Sequence, residues 1–448
     1  MQKRGSLKEV IHISWPLVIG MLSFTIMDFT DTLMVGQIGM SELAAVGMST
    51  SVMFLINSFF IGFFESVKIL VSQAIGANQK NMAKQAGCQG LFLAFPIGLL
   101  VVGLTYLSPV IFHFFGGPEH LQIMSEHYFG LRLWASPFWF VTLVLSSYYL
   151  GSGNMKLPMQ VNIFMCVFNV IISQILIFGL WFIPAYGMDG SAYATVLSDV
   201  IGMLIILTLF IKDIGIEFKI HLNIIKKLLI LGVPVGIRWL LDTGGWTFVI
   251  GMIARLGEAP LAANQIATKI MCLSLLPVYG ISEAACILTG QCTGAQDFPA
   301  LKRSYWATIQ LSVGIMLVTS LAFILIPIPL VSIFQKDTQV IELACEILML
   351  VGGYQILSAF SLVTSGALNG TGDTKFTMIL LILSTWFVMV PSAYYFGVIL
   401  DMGVFGMWLS LIAHELVLVI GTQWRFHSGR WRNHQMIVIE QPDFHSNL

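Results

Sequence analysis

The sequence predicts an all-α integral membrane protein: twelve transmembrane helices in two parallel-repeat six-helix lobes. Three observations carry this. Of 448 residues, 57% are hydrophobic and only 10% charged, with a mean hydropathy of +0.85; a water-soluble domain of this size needs far more charge to cover its surface. Apolar stretches of membrane-spanning length recur along the whole chain, and after Arg303 no charged residue occurs before Lys336. The second half also repeats the first. A net charge of −1 gives no sign of a nucleic-acid partner.

Taken in order, apolar runs bounded by Gly, Pro and charge place spans near 12–34, 46–70, 88–112, 128–150, 160–182, 190–211, 228–254, 261–290, 305–334, 345–368, 377–400 and 404–424. Several exceed the roughly 20 residues needed to cross, which implies tilt or extension beyond the lipid. The basic start, MQKRGSLKEV, enters a long apolar run without a small-residue cleavage site and reads as a cytoplasmic segment, not a signal peptide. With both termini cytoplasmic, sixteen Lys and Arg fall on the inner side and three (Arg132, Arg255 and Lys336) on the outer side. An odd number of spans would destroy that positive-inside bias. The expected organisation is an N-terminal lobe at 1–211, a cytoplasmic connector at 212–227 (KDIGIEFKIHLNIIKK), a C-terminal lobe at 228–424 and a cytoplasmic tail at 425–448.

Sliding the second half onto the first by 218 positions aligns Pro16 with Pro234, Gly62 with Gly280, Glu65 with Glu283, Gln73 with Gln291, Gly76 with Gly294 and Lys84 with Lys302. There are 20 identities across these 69 positions, where apolar composition alone gives roughly five. One shift later, GSGNMK (151–156) matches GTGDTK (370–375). An even number of spans per repeat relates the halves by an axis along the membrane normal, with a substrate path between two lobes.

The run TDTLMVGQIG (30–39) resembles the first-helix signature of the multidrug and toxic compound extrusion (MATE) family. LAANQIA (261–267), GISEAACILTGQCTGA (280–295), GALNGTGDTK (366–375) and GMDGSAYAT (187–195) resemble further motifs of that family. The resemblance implies secondary active, alternating-access export of lipophilic organic cations and related compounds in exchange for H+ or Na+, across a cell inner membrane. It implies small-molecule substrates and the bilayer as partners, a monomer, and no cofactor.

Ionisable residues in spanning helices are functional candidates by default, because lipid makes them costly. Asp28 and Asp31 lie one turn apart on one face of the first helix, where a close carboxylate pair can share a proton; Thr30 and Thr32 stand beside Asp31 as hydrogen-bond candidates. By resemblance Asp31 is the cation-coupling residue, and Asn169 is the fifth-helix Asn of the family. Ser173 stands where one branch carries an Asp. Asp242 stands where the sodium-linked branch carries a seventh-helix Glu, which allows Na+ near it, while the tenth-helix acidic position of that branch falls on Ser358. Arg238, one turn before Asp242, can neutralise it.

The repeat mates Glu65 and Glu283 suggest a shared role. Lys68 is placed to pair with Glu65, and Lys269 with Asp242 or Glu283. Asp199 and Glu415 also align between halves and are expected to face Ser, Thr or His414. Gln265 and Met27 join Asn169, Ser173, Arg238 and Glu283 as candidate cavity residues, with Met34, Met48, Met53 and Phe54 as pliable apolar wall. A zinc-protease reading of His414-Glu415 fails at Leu418, where a second His is required, and GTGDTK lacks the Walker spacing. The six cysteines sit singly, with no CxxC. Two alternatives are a lipid or lipid-linked oligosaccharide flippase, which needs a basic cavity, and an intramembrane enzyme, which needs a catalytic cluster that the sequence does not supply.

Overall fold

A computed structural model describes residues 5–116, 118–434 and 436–437. The described residues are mainly helical, and the only β-bridge among them joins Leu180 and Ile183. Twelve helical segments follow in order: α1 Leu7–Gly36, α2 Met40–Gly76, α3 Lys80–Phe114, α4 Glu119–Leu133 continued as Ser136–Ser152, α5 Lys156–Phe178, α6 Met188–Asp213, α7 Leu222–Ala254, α8 Glu258–Gly294, α9 Phe298–Leu325, α10 Thr338–Thr371, α11 Thr374–Ile399 and α12 Gly403–His427. By length and composition ten of these can cross a membrane alone, and the bent pair of α4 makes eleven. The twelfth is α7, 33 residues long and carrying Lys226, Lys227, Arg238 and Asp242 along its length.

Local chemistry sets the boundaries. Ser6 caps α1 by accepting from the Glu9 N–H, while Glu9 reaches back to accept from the Gly5 N–H at 2.6 Å, a reciprocal capping box. Asp297 caps α9 by accepting from the Ala300 N–H, and Asp337 caps α10 by accepting from the Gln339 and Val340 N–H groups. The matching GSG and GTG turns end α4 and α10 on Gly153 (φ +96°) and Gly372 (φ +95°), left-handed positions that favour glycine. The 48° bend in α4 falls just before Pro137, whose ring prevents a continuous helix. On either side of Pro391, α11 widens into π-helical turns at Leu383–Met389 and Tyr395–Ile399. The 212–227 stretch is shorter as a loop than its composition suggests: α6 runs on to Asp213 and α7 starts at Leu222. The non-helical remainder is pinned to α3 by Gln89, which donates to Lys219 O and accepts from His221 N–H.

The two largest apolar cores among the described residues lie one mostly in 52–231 and one mostly in 249–431, with two smaller clusters beside them. The basic-end half of α7 (Ile224, Leu228, Leu231) is buried in the first core, and Val10 of α1 in the second, so each repeat lends the start of its first helix to the other. Helix starts and ends place α1's beginning, the α6–α7 connector and α12's end on one basic face. The lobes meet toward this face. Gly76 of α2 lies against the Gln291 carbonyl and Gly294 of α8 against the Gln73 carbonyl, so close that an added Cβ would overlap either oxygen. The same glutamines cross the interface with their side chains: Gln73 Nε2 donates to Gly370 O at 2.9 Å and Gln291 Nε2 to Gly151 O at 3.3 Å. Every partner in these contacts has its counterpart in the other repeat. The repeat detected in the sequence is therefore a two-fold seal between the lobes.

This topology gives a labelling prediction. A cysteine at Phe218, in the connector, should react with a membrane-impermeant maleimide from one side of the bilayer, and one at Met40 or Glu258 only from the other. Labelling of all three from one side would break the span count.

Candidate functional site

In the first lobe, α5 and α6 turn hydroxyl-bearing faces toward the outer part of α1. Asn169 and Ser173 are one turn apart on α5. Ser191, Thr195 and Asp199 follow at four-residue steps on α6, so each set lines one helix face. Ser173 Oγ donates to Asp31 Oδ1 at 2.8 Å, and Thr195 Oγ1 approaches Asp31 Oδ2 at 3.5 Å. Asn169 Nδ2 lies 3.4 Å from Thr195 Oγ1, and Thr195 also donates to Ser191 O. Asn169 is fully buried and its Oδ1 has no hydrogen-bond partner among the described residues. Asp199 is buried one turn beyond Thr195, with Arg132 of α4 in electrostatic reach of both Asp199 and Asp31.

This corrects the sequence picture at three points. Asp28 is exposed and no hydrogen bond joins it to Asp31. Thr30 and Thr32 donate back to Ile26 O and Asp28 O of their own helix rather than to Asp31. Ser173, which stands in for a carboxylate, is instead the hydroxyl that holds Asp31.

In the second lobe, Asp242 of α7 lies within electrostatic reach of His414, Arg238 and Glu415. No Arg238–Asp242 ion pair within 4.0 Å forms, and Arg238 is in electrostatic reach of both Asp242 and Glu65. Glu415 accepts from Ser358 Oγ at 2.9 Å and from Ser361 Oγ at 2.7 Å. The position read as a missing acid on α10 thus presents a hydroxyl to an acid supplied by α12. His414 Nδ1 is 2.8 Å from Ser384 Oγ, which sits in the first π-helical turn of α11. Among the described residues no group of three His, Cys, Asp or Glu is arranged to hold a metal ion. Asp31 with its hydroxyl and amide oxygens can bind a proton, or a hard cation that takes oxygen ligands.

Between the lobes, Glu283 of α8 pairs with Lys68 of α2, and Lys68 Nζ is also 4.0 Å from Glu65. Lys269, expected to pair with Asp242 or Glu283, is exposed and fourteen residues from Glu283 on the same helix, about 21 Å along its axis. Glu283 also reaches a cavity of about 180 Å³ enclosed by α1, α4 and α5, with Met21, Phe24, Trp139, Met159 and Asn162 on its wall. Glu283 is the one ionisable side chain on that wall. Of the remaining candidates, Met27 is half-buried and Gln265 exposed, and neither lines this cavity; Met34 and Met53 are packed in the first-lobe core region and Phe54 is exposed.

The MatE family model matches residues 16–175 and 234–395, one copy in each half. A probable multidrug resistance protein NorM of Thermotoga maritima is 26% identical over 448 aligned residues, covering 97% of this chain and 95% of the relative. An uncharacterized transporter YisQ of Bacillus subtilis is 27% identical, covering 94% of each. Among solved structures, a MATE family multidrug transporter of the MOP superfamily in an outward-facing conformation superposes with a TM-score of 0.88 at 24% identity, covering 95% of this chain and 96% of the other. A MATE protein in a bent conformation gives 0.87 at 22% identity, covering 95% and 96%.

Proposed function

The chain belongs to the MatE family, the multidrug and toxic compound extrusion transporters, and on that premise we propose that it exports lipophilic organic cations in exchange for H+ (or Na+) by alternating access. The observation that carries the reading is Asp31, a carboxylate on a helix that packs against both lobes, held by Ser173 and Thr195 beside the buried, half-satisfied Asn169. Protonation of Asp31 changes what Ser173 and Thr195 can donate to, and so changes how α1 sits against α5 and α6. Cation-loaded and cation-free forms then favour different packings of α1, and a transported compound competes through that difference.

The cavity beside α1 supports an organic cation as the exported compound. Its wall is apolar and aromatic, carries one carboxylate and no Lys or Arg, and so suits a lipophilic cation better than an anionic pyrophosphate headgroup. In this reading residues 1–211 and 228–424 are the two moving bodies, the chain lies in the cell inner membrane, and the basic face is cytoplasmic. The test is ethidium efflux in everted vesicles with a proton gradient or a sodium gradient imposed separately. Accumulation driven by one gradient and collapsed by its ionophore is the expected result. Equal ethidium distribution under both gradients, in vesicles that contain the protein, would remove the antiport reading.

A further inference from the structure

Lys68 is an unusual cation to find where it is. Its side chain is only 4% exposed, on α2 in the inter-lobe layer, and it touches carboxylates from both lobes: Glu65 of its own helix and Glu283 of α8. Arg238 of α7 stands in electrostatic reach of Glu65 on the far side, so Glu65 keeps a cationic neighbour whatever Lys68 does. Glu283 is different. Its side chain is 22% exposed, and what it is exposed to is the cavity between α1, α4 and α5. One carboxylate thus looks two ways, toward a tethered ammonium behind it and toward an apolar chamber in front.

The chamber sits in the first lobe and the carboxylate comes from the second, so a ligand that engages both bridges the lobes. Its volume of about 180 Å³ is close to the roughly 150 Å³ apolar cavity that holds one benzene ring. Trp139 and Phe24 supply aromatic faces for a cation or a ring. A single-ring ligand with an alkylammonium arm matches this wall: the ring fills the apolar part, and the ammonium reproduces at Glu283 what Lys68 Nζ already does.

We propose that Glu283 exchanges Lys68 for a ligand ammonium in this cavity, so that binding a lipophilic primary amine dissolves the cross-lobe ion pair. Lys68 then retains Glu65 and stays neutralised, while the ligand takes over the charge contact with Glu283. The pair Lys68–Glu283 acts as an internal competitor: it sets the threshold affinity a cation must exceed, and occupancy replaces a direct cross-lobe ion pair by a ligand-mediated one. This rests on the export reading above, and it assigns a substrate class and a selectivity residue to it.

The probes are 2-phenylethylammonium and its uncharged isostere 2-phenylethanol, titrated into the purified full-length protein. The wild type should prefer the ammonium by about tenfold or more, as expected for a charge-assisted contact. Glu283→Gln should reduce that ratio to near one without changing the alcohol. Lys68→Gln, which frees Glu283, should strengthen ammonium binding alone.

Removing one member of a buried pair can unfold a protein, whereas replacing both by apolar residues of similar volume is tolerated. Lys68→Met/Glu283→Met therefore serves as the folded control, and it too should lose the discrimination. An ammonium-to-alcohol ratio unchanged in Glu283→Gln or in the double variant overturns the proposal, as does a folded Lys68→Gln with unchanged or weaker ammonium affinity. Ethidium efflux measured on the same preparations separates the two readings: intact efflux with an unmoved ratio sinks only the exchange, and absent efflux with the expected ratio sinks only the transport.

Discussion

Asp31→Asn should insert and fold like the wild type yet lose gradient-driven efflux. The amide keeps an oxygen to accept from Ser173 Oγ and replaces the other oxygen by an NH2 that can donate to Thr195 Oγ1, so the local hydrogen-bond geometry survives. What disappears is the charge change. Coupling between ligand sites typically amounts to about 5–150-fold, so removing the only proton-binding group in this hydrogen-bonded set should cut gradient-dependent ethidium efflux by at least about tenfold, to the passive rate. Asp28→Asn, on an exposed side chain outside that set, should change efflux far less. The measurement is efflux in everted vesicles for both variants at matched expression, with thermal unfolding followed in detergent. Wild-type efflux by Asp31→Asn would move the coupling site to the second lobe, where Asp242 and Glu415 are the acids to test.

Much of the architecture was written in the sequence because duplication leaves a long-range record. Gln73 and Gln291 and Gly76 and Gly294 align at one offset, the GSG and GTG turns one position later, and in the structure they form the symmetric contacts where the lobes meet. Asp31 was legible as a charge in an apolar helix. Its partners were not. Periodicity puts Thr30 and Thr32 nearest in sequence, but a threonine in a helix can satisfy itself on the carbonyl four residues back, and both do. Which faces of α5 and α6 turn toward α1 is decided by packing, so Ser173 read as an absence when it is the donor.

Glu415 was expected to face Ser, Thr or His414 and it accepts from two serines; which serines these are was hidden for a related reason. Ser358 on α10 looked like a lost acid, while the carboxylate that meets it comes from α12, 57 positions later. Lys269 was expected to pair with Asp242 or with Glu283, the latter on the same helix α8. Fourteen helical residues separate them too widely, and the cation that reaches Glu283 comes from the other lobe. The π-helical turns of α11 have a proline between them in the sequence, yet nothing in its composition gives their length.

Locking the two lobes together at the basic face should stop transport outright. Ser72 of α2 and Gly290 of α8 face each other there, and a Cβ built on Gly290 lies 3.0 Å from Ser72 Cβ. A disulfide holds its Cβ atoms about 3.5–4.5 Å apart, so a small relaxation admits one. These residues flank the symmetric Gln73 and Gln291 contacts, so the bond would fix the seal itself rather than a distant loop. Alternating access requires the seal to open once per cycle, and no ligand can supply the energy to break a covalent bond.

The direct test is Ser72→Cys/Gly290→Cys in a chain whose six native cysteines are replaced, with ethidium efflux followed before oxidation, after quantitative cross-linking and after reduction. Efflux that stops on cross-linking and returns on reduction is the predicted result. Undiminished efflux from fully cross-linked protein would contradict a transport cycle built on the parting of these two lobes.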